Sequence, residues 1–134
     1  METTVLEVNT GREPVVVDIT GAVVSFCRGK GDGLVNVFAA HATAGLALIE
    51  TGAGTEEDLL ETLGRLLPRS HDWVHRHGSA GHGADHVLAA FISPSLTIPV
   101  VGGRPSLGAW QSVVLVDPNR DNTPRTVRLS FVPG

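Results

Sequence analysis

His41-Ala42-Thr43-Ala44-Gly45-Leu46-Ala47-Leu48-Ile49-Glu50 is a strand-like run that opens and closes on polar residues. Gly102-Gly103-Arg104-Pro105-Ser106-Leu107-Gly108-Ala109-Trp110-Gln111 has the same character. A chain built only to fold would fill such runs with plain core residues. Burying an unpartnered neutral polar group costs on the order of 2–7 kcal/mol, and a charge costs more. These polar residues therefore belong either to a satisfied hydrogen-bond network or to the lining of a pocket.

Outward from the first run, Leu34 to Ala40 reads as a preceding strand and Ala44 to Ile49 as the next. Thr3 to Val8 and Val15 to Ile19 are earlier strands. Thr20 is placed to cap a short helix over Ala22 to Arg28, stopped by the three glycines of Gly29 to Gly33. Glu56 to Leu67 is the clearest helix: Leu59, Leu60, Leu63, Leu66 and Leu67 recur at helical spacing. Thr55 stands at its cap position, Glu56, Glu57 and Asp58 suit its positive end, and Pro68 closes it. Ser70 to Gly83 is irregular and carries four of the six histidines. Ala84 to Ile92 reads as a helix. Ser95 to Val101, Leu107 to Val116 and Arg125 to Val132 read as three final strands. This order predicts a single α+β domain over residues 1–134 with a mostly antiparallel sheet.

The totals fit one soluble domain. The chain has 134 residues, 42% hydrophobic and 18% charged, enough for a core of its own. With four Phe, two Trp and no Tyr, that core rests on Val, Leu, Ile and Ala. The formal net charge of −4 and a single Lys argue against a groove that grips nucleic-acid phosphates. Arg120, Arg125 and Arg128 form a loose group that reads as solvated. Cys27, the one cysteine, excludes an intrachain disulfide and reads as a small core residue. The amino terminus has no secretory pattern and no apolar run approaches membrane-spanning length, so a cytoplasmic location away from membranes is expected.

His41 ends a buried strand, His86 begins an apolar helix beside Asp85, and His71, His75 and His77 lie in the loop between the helices. Three elements each present a histidine at a boundary, and three histidines with one open position are the minimum for a catalytic zinc. Glu50 reads equally as a solvated strand end or as a general base. Gln111 needs amide partners inside an apolar strand, and Trp110 reads as core or as a substrate platform.

These residues resemble the YjbQ family, small proteins often named secondary thiamine-phosphate synthases. The family's H-T-T-A-G-V-T-I-N-E strand is similar to His41 to Glu50. Its aromatic-x-His segment is similar to Trp73-Val74-His75, its Ala-His helix start to Asp85-His86, and its P-S-L-T-I-P-V-V-G-G-R-L-x-L-G-x-W-Q run to Pro94 to Gln111. The resemblance covers about Val15 to Val132. It implies a bent sheet closing into a pseudo-barrel with two helices packed on it, and a homotrimer. It implies a catalytic set of His41, His75, His86 and Glu50, with Thr43, Arg104, Trp110 and Gln111 binding substrate, close together at a subunit boundary. Ala42, Ala47 and Ile49 replace three polar residues of the family strand.

Three functions follow. The resemblance implies a thiamine-phosphate synthase, joining a hydroxymethylpyrimidine diphosphate to a thiazole phosphate with release of diphosphate, as a weak or secondary activity. Magnesium would accompany the diphosphate, yet no acidic pair of the usual kind is present to hold it. Zinc on His41, His75 and His86, with Glu50 as base, would instead make a hydrolase, since imidazoles suit zinc better than magnesium. The third is a trimeric small-molecule binder without catalysis.

Overall fold

The computed structural model describes residues 1–134. Its strands are β1 (Glu2–Val8), β2 (Val15–Asp18), β3 (Gly33–Ala39), β4 (Gly45–Ile49), β5 (Ser95–Val101), β6 (Arg104–Pro105), β7 (Ser112–Asp117) and β8 (Arg125–Pro133). Its helices are α1 (Thr20–Cys27), α2 (Thr55–Leu66) and α3 (Gly83–Phe91). The strands form two antiparallel sheets, ordered β1-β8-β3-β5-β6 and β2-β7-β4, one of them curled into a half-barrel. The expected α+β fold with a bent antiparallel sheet is the fold observed. No helix is long and apolar enough to cross a membrane.

Strand β7 explains the layering. Val113, Val114, Leu115, Val116 and Asp117 are all buried, as a strand covered on both faces requires. Val113 and Leu115 face the main core with Val35, Val37, Val127 and Leu129 of the larger sheet. Val114 and Val116 face the other way, against Leu63 and Leu67 of the α2 end and Ala84 and Leu88 of α3. Helices α2 and α3 therefore pack on the outside of the smaller sheet, while α1 contributes Val23 and Cys27 to the core between the sheets. Backbone bonds from Ala39 N to Pro94 O and from Leu46 N to Ser93 O, both 2.8 Å, draw the two sheets together.

Several local expectations give way to tertiary context. Asp18, rather than Thr20, holds the start of α1, its Oδ1 accepting the Thr20 amide at 2.9 Å. Gly54, in a left-handed conformation at φ 99°, precedes α2 in place of a Thr55 cap. The Glu56 carboxylate reaches back instead to accept the Gly52 amide at 3.0 Å. Strand β7 begins only at Ser112, because Gln111 Oε1 turns back to accept the Gly108 amide at 2.8 Å and closes a turn. Trp110 is left exposed on that turn.

Arg125 corrects the solvated basic group: it is 1% exposed. It shares the parity of Val127, Leu129 and Phe131 along β8, all of which point inward. Its Nε and Nη2 donate to the two oxygens of buried Asp117 at 2.7 and 3.0 Å. Nη2 also donates to Thr43 Oγ1 at 2.7 Å, and Thr10 Oγ1 donates to Asp117 at 2.7 Å. The pair closes one end of the small sheet and ties the chain after His41 to it. Removing one partner of a buried pair leaves an uncompensated charge, at a cost of about 3–5 kcal/mol. Urea unfolding of Arg125→Met is expected to show a loss of that size; a loss within the range of ordinary surface substitutions would contradict the role given to the pair.

Candidate functional site

The loop between α2 and α3 folds back onto the start of α3, and glycines permit the approach. A Cβ on Gly83 would collide with Trp73 Cβ and with the carbonyl of His75. Gly81, at φ 78°, would meet the Arg69 backbone in the same way. Trp73 fixes the loop from within, donating through Nε1 to Pro68 O at 3.0 Å. His75 is thereby laid against His82, which immediately precedes α3, and His86 on its first turns. His82 and His86 are four residues apart, so they share one face.

One ring nitrogen from each of His75, His82 and His86 lies within 4.8 Å of the other two. The Nε2 atoms of His82 and His86 are 3.1 Å apart. Two nitrogens bound at 2.0–2.1 Å to one tetrahedral zinc stand about 3.3 Å apart, so this spacing needs little adjustment. Buried Nε2 of His75 has no hydrogen-bond partner, a cost that a bound cation would remove.

The surroundings complete a second layer. His82 Nδ1 stands 2.8 Å from Asp121 Oδ2 and 3.3 Å from Asp85 Oδ2. Neither oxygen is aligned with the ring N–H, so these contacts are electrostatic rather than linear hydrogen bonds. Arg69 clamps both oxygens of Asp85 at 2.8 and 3.0 Å. Ser79 donates to Asp121 Oδ2 from its amide and its hydroxyl, and these bonds hold the Asp121 carboxyl below its usual range. A carboxylate behind a histidine orients the ring and raises its basicity toward a metal.

Burial, followed by the neighbouring histidines, lowers the pKa of both His75 and His86. Both are therefore neutral near pH 7, the form that ligates. His41 is also lowered, by burial first and by the Arg125 charge second.

The predicted residues divide sharply. His75 and His86 are in the group, and its third member is His82 rather than His41. The His82–His86 spacing was the available signal, concealed because the helix was expected to begin at Ala84. His41 stands across a cleft of about 420 Å³ lined also by His77, His82, His86, Asn122 and Arg125. Its Nε2 accepts the Thr126 amide at 2.9 Å, which occupies that nitrogen and removes His41 from the ligand set. Thr43, predicted to bind substrate, is buried and spends its hydroxyl on Arg125.

Glu50, Trp110 and Gln111 lie at the other end of the small sheet. Ile49 pairs with Ser112, whereas Gly45 pairs with Val116 near the cleft. Five residues of strand separate the two ends by roughly 17 Å. Arg104 lines a different groove, with Arg28, Val24, Pro105 and Leu107. Within one chain, none of these four reaches the histidines.

The family profile described as UPF0047 protein YjbQ-like matches residues 4–134. The chain belongs to the YjbQ family. A UPF0047 protein of Mycobacterium tuberculosis is 62% identical over 134 residues, covering all of both chains. A UPF0047 protein of Archaeoglobus fulgidus is 30% identical over 91% of this chain and 95% of its own. Among solved structures, a YbjQ-like protein of unknown function from Sulfolobus solfataricus superposes with a TM-score of 0.92 at 26% identity, covering 99% of this chain and 97% of its own. A hypothetical protein from Aeropyrum pernix gives 0.90 at 34% identity over the whole of both chains.

The lowered imidazoles give this YjbQ-family chain a pH-dependent stability. Each binds a proton more weakly folded than unfolded, so the unfolded state takes up more protons as pH falls. Their contribution is complete above the ordinary histidine value of 6.5 and is lost below it. For the metal-stripped chain, the urea midpoint is expected to fall between pH 7.5 and 5.5. A flat or rising profile toward acid would contradict neutral burial of these rings.

Proposed function

We propose that this chain is a zinc-dependent hydrolase acting on a small molecule, with the metal held by His75, His82 and His86. The observation that carries the proposal is the meeting of three ring nitrogens within 4.8 Å, one of them buried and unpartnered. Imidazole donors favour zinc over magnesium. Zinc in a three-nitrogen site with an open position acts as a Lewis acid and lowers the pKa of bound water to about 7. The cleft before the site, about 420 Å³ and open to solvent, suits a small substrate.

The protein's own groups do the rest. Arg69 and Asp85 hold His82 from behind. The Arg125–Asp117 pair fixes the wall that carries His41. Asp121, ionised and 2.8 Å from His82 Nδ1, supports that ring from its far side. In this proposal the chain works as a cytoplasmic homotrimer, in which the Glu50, Arg104, Trp110 and Gln111 surfaces of one copy approach the histidine cleft of another. The 76% exposure of Trp110 in the single chain supports that arrangement. Light scattering would then give three times the 14.0 kDa of one chain; a monomer mass would end the trimer proposal.

Family membership supports a second reading, the secondary thiamine-phosphate synthase activity. In that reading a metal held by His75, His82 and His86 would supply positive charge for the diphosphate leaving group. Elemental analysis separates the possibilities first. Purified wild type is expected to carry close to one zinc per chain, His82→Ala little or none, and His41→Ala the wild-type amount. Hydrolysis of an ester or amide panel that needs the metal would then support the hydrolase. Thiamine phosphate formation without hydrolysis would support the synthase, and metal with neither activity a binder. Wild type unable to take up zinc contradicts the metal centre itself.

A further inference from the structure

We propose that His41 is a fixed hydrogen-bond donor for substrate: its Nδ1–H holds an acceptor oxygen of a phosphate or carboxylate group placed in the histidine cleft. This extends the metal-centre proposal by naming the substrate group. His41 is thereby neither a metal ligand nor a base.

A backbone N–H can only donate, and the Thr126 amide lies 2.9 Å from His41 Nε2. The lone pair of Nε2 must therefore accept, so a neutral His41 carries its single proton on Nδ1. The Thr126 hydroxyl, 3.3 Å from the same nitrogen, can donate there as well. An Nε2–H tautomer would set two N–H groups against each other.

Both sides of this contact are clamped. Thr126 follows Arg125, which is locked to buried Asp117. The same guanidinium holds the hydroxyl and carbonyl of Thr43, two residues after His41. His41 N is itself bonded to Ala39 O at 2.9 Å. The ring cannot easily turn over without losing the Thr126 bond, and Nδ1 has no acceptor within the protein. His41 is among the residues that line the cleft with His82 and His86, so this unspent N–H is available to a molecule bound there.

A donor fixed in advance is worth most against oxygen that carries or gains negative charge. On the opposite wall, a cation at the three histidines would take another oxygen of the same group. Phosphate and carboxylate have the paired oxygens such an arrangement needs. His41 acts only as donor here, so a substrate presenting only N–H donors toward it would be rejected.

The first test needs no metal. Long-range ¹H–¹⁵N correlation spectra of the metal-free full-length protein at pH 7.5 are expected to give His41 a protonated Nδ1 and an unprotonated Nε2, unchanged when zinc is added. A protonated Nε2, or an Nδ1 signal that moves to a metal-bound position with zinc, overturns the proposal. This result is independent of whether zinc binds, so it fails separately from the metal centre. The second test titrates inorganic phosphate into zinc-loaded protein. His41→Phe is expected to weaken phosphate binding about tenfold or more, as loss of a charge-assisted hydrogen bond implies, at unchanged zinc content. Equal affinity in a folded, zinc-loaded variant overturns it.

Discussion

Arg125 enters the interior as the first residue of β8 and meets Asp117, the last residue of β7, where neither is open to water. That one ion pair joins the two sheets at the end where the cleft lies. Two charges taken out of water repay their desolvation only when the remaining polar atoms are also satisfied. Here Thr10, Thr43 and the Asn119 amide supply those bonds. The consequence for function is positional: the His41 segment, the Asp121 loop and the start of β8 are all referred to one rigid point.

The histidine group is assembled by a different device. His86 on α3 and His82 at its cap need only the pitch of that helix, but His75 comes from an irregular loop. Such a loop would ordinarily be too mobile to define a ligand atom. Close backbone approach at Gly81 and Gly83, the Trp73 anchor and the Arg69–Asp85 pair hold it to the helix. Apolar packing of α2 and α3 against Val114 and Val116 of β7 supports the whole arrangement. The cleft thus lies between two walls fixed by two separate ion pairs, one buried and one partly exposed.

Much of this was legible in the sequence. Alternating apolar residues marked the strands, the leucine spacing marked α2, and ordered motifs marked the family. The same motifs picked out His75 and His86 as candidates, and the fold brings the two together. His82 was not picked out, because a helix read as starting at Ala84 hides that His82 and His86 lie one turn apart. Arg125 was misread as solvated although its parity with Val127 and Leu129 placed it inside. Charge counted by sequence neighbourhood conceals what strand alternation determines. Glu50, Trp110, Gln111 and Arg104 are a different case: motif order set them beside the histidines, while strand pairing puts the first three at the far end of the small sheet and Arg104 in a separate groove.

The central claim is that His75, His82 and His86 form one metal centre, and its ligand shell can be counted directly. X-ray absorption at the zinc edge of the loaded wild-type protein should return a four-coordinate shell at about 2.0–2.1 Å containing three imidazoles. His82→Ala should lose most of the metal, and any zinc it retains should show fewer imidazoles. A six-oxygen shell, or an imidazole count that His82→Ala leaves unchanged, would place the metal elsewhere and contradict the account.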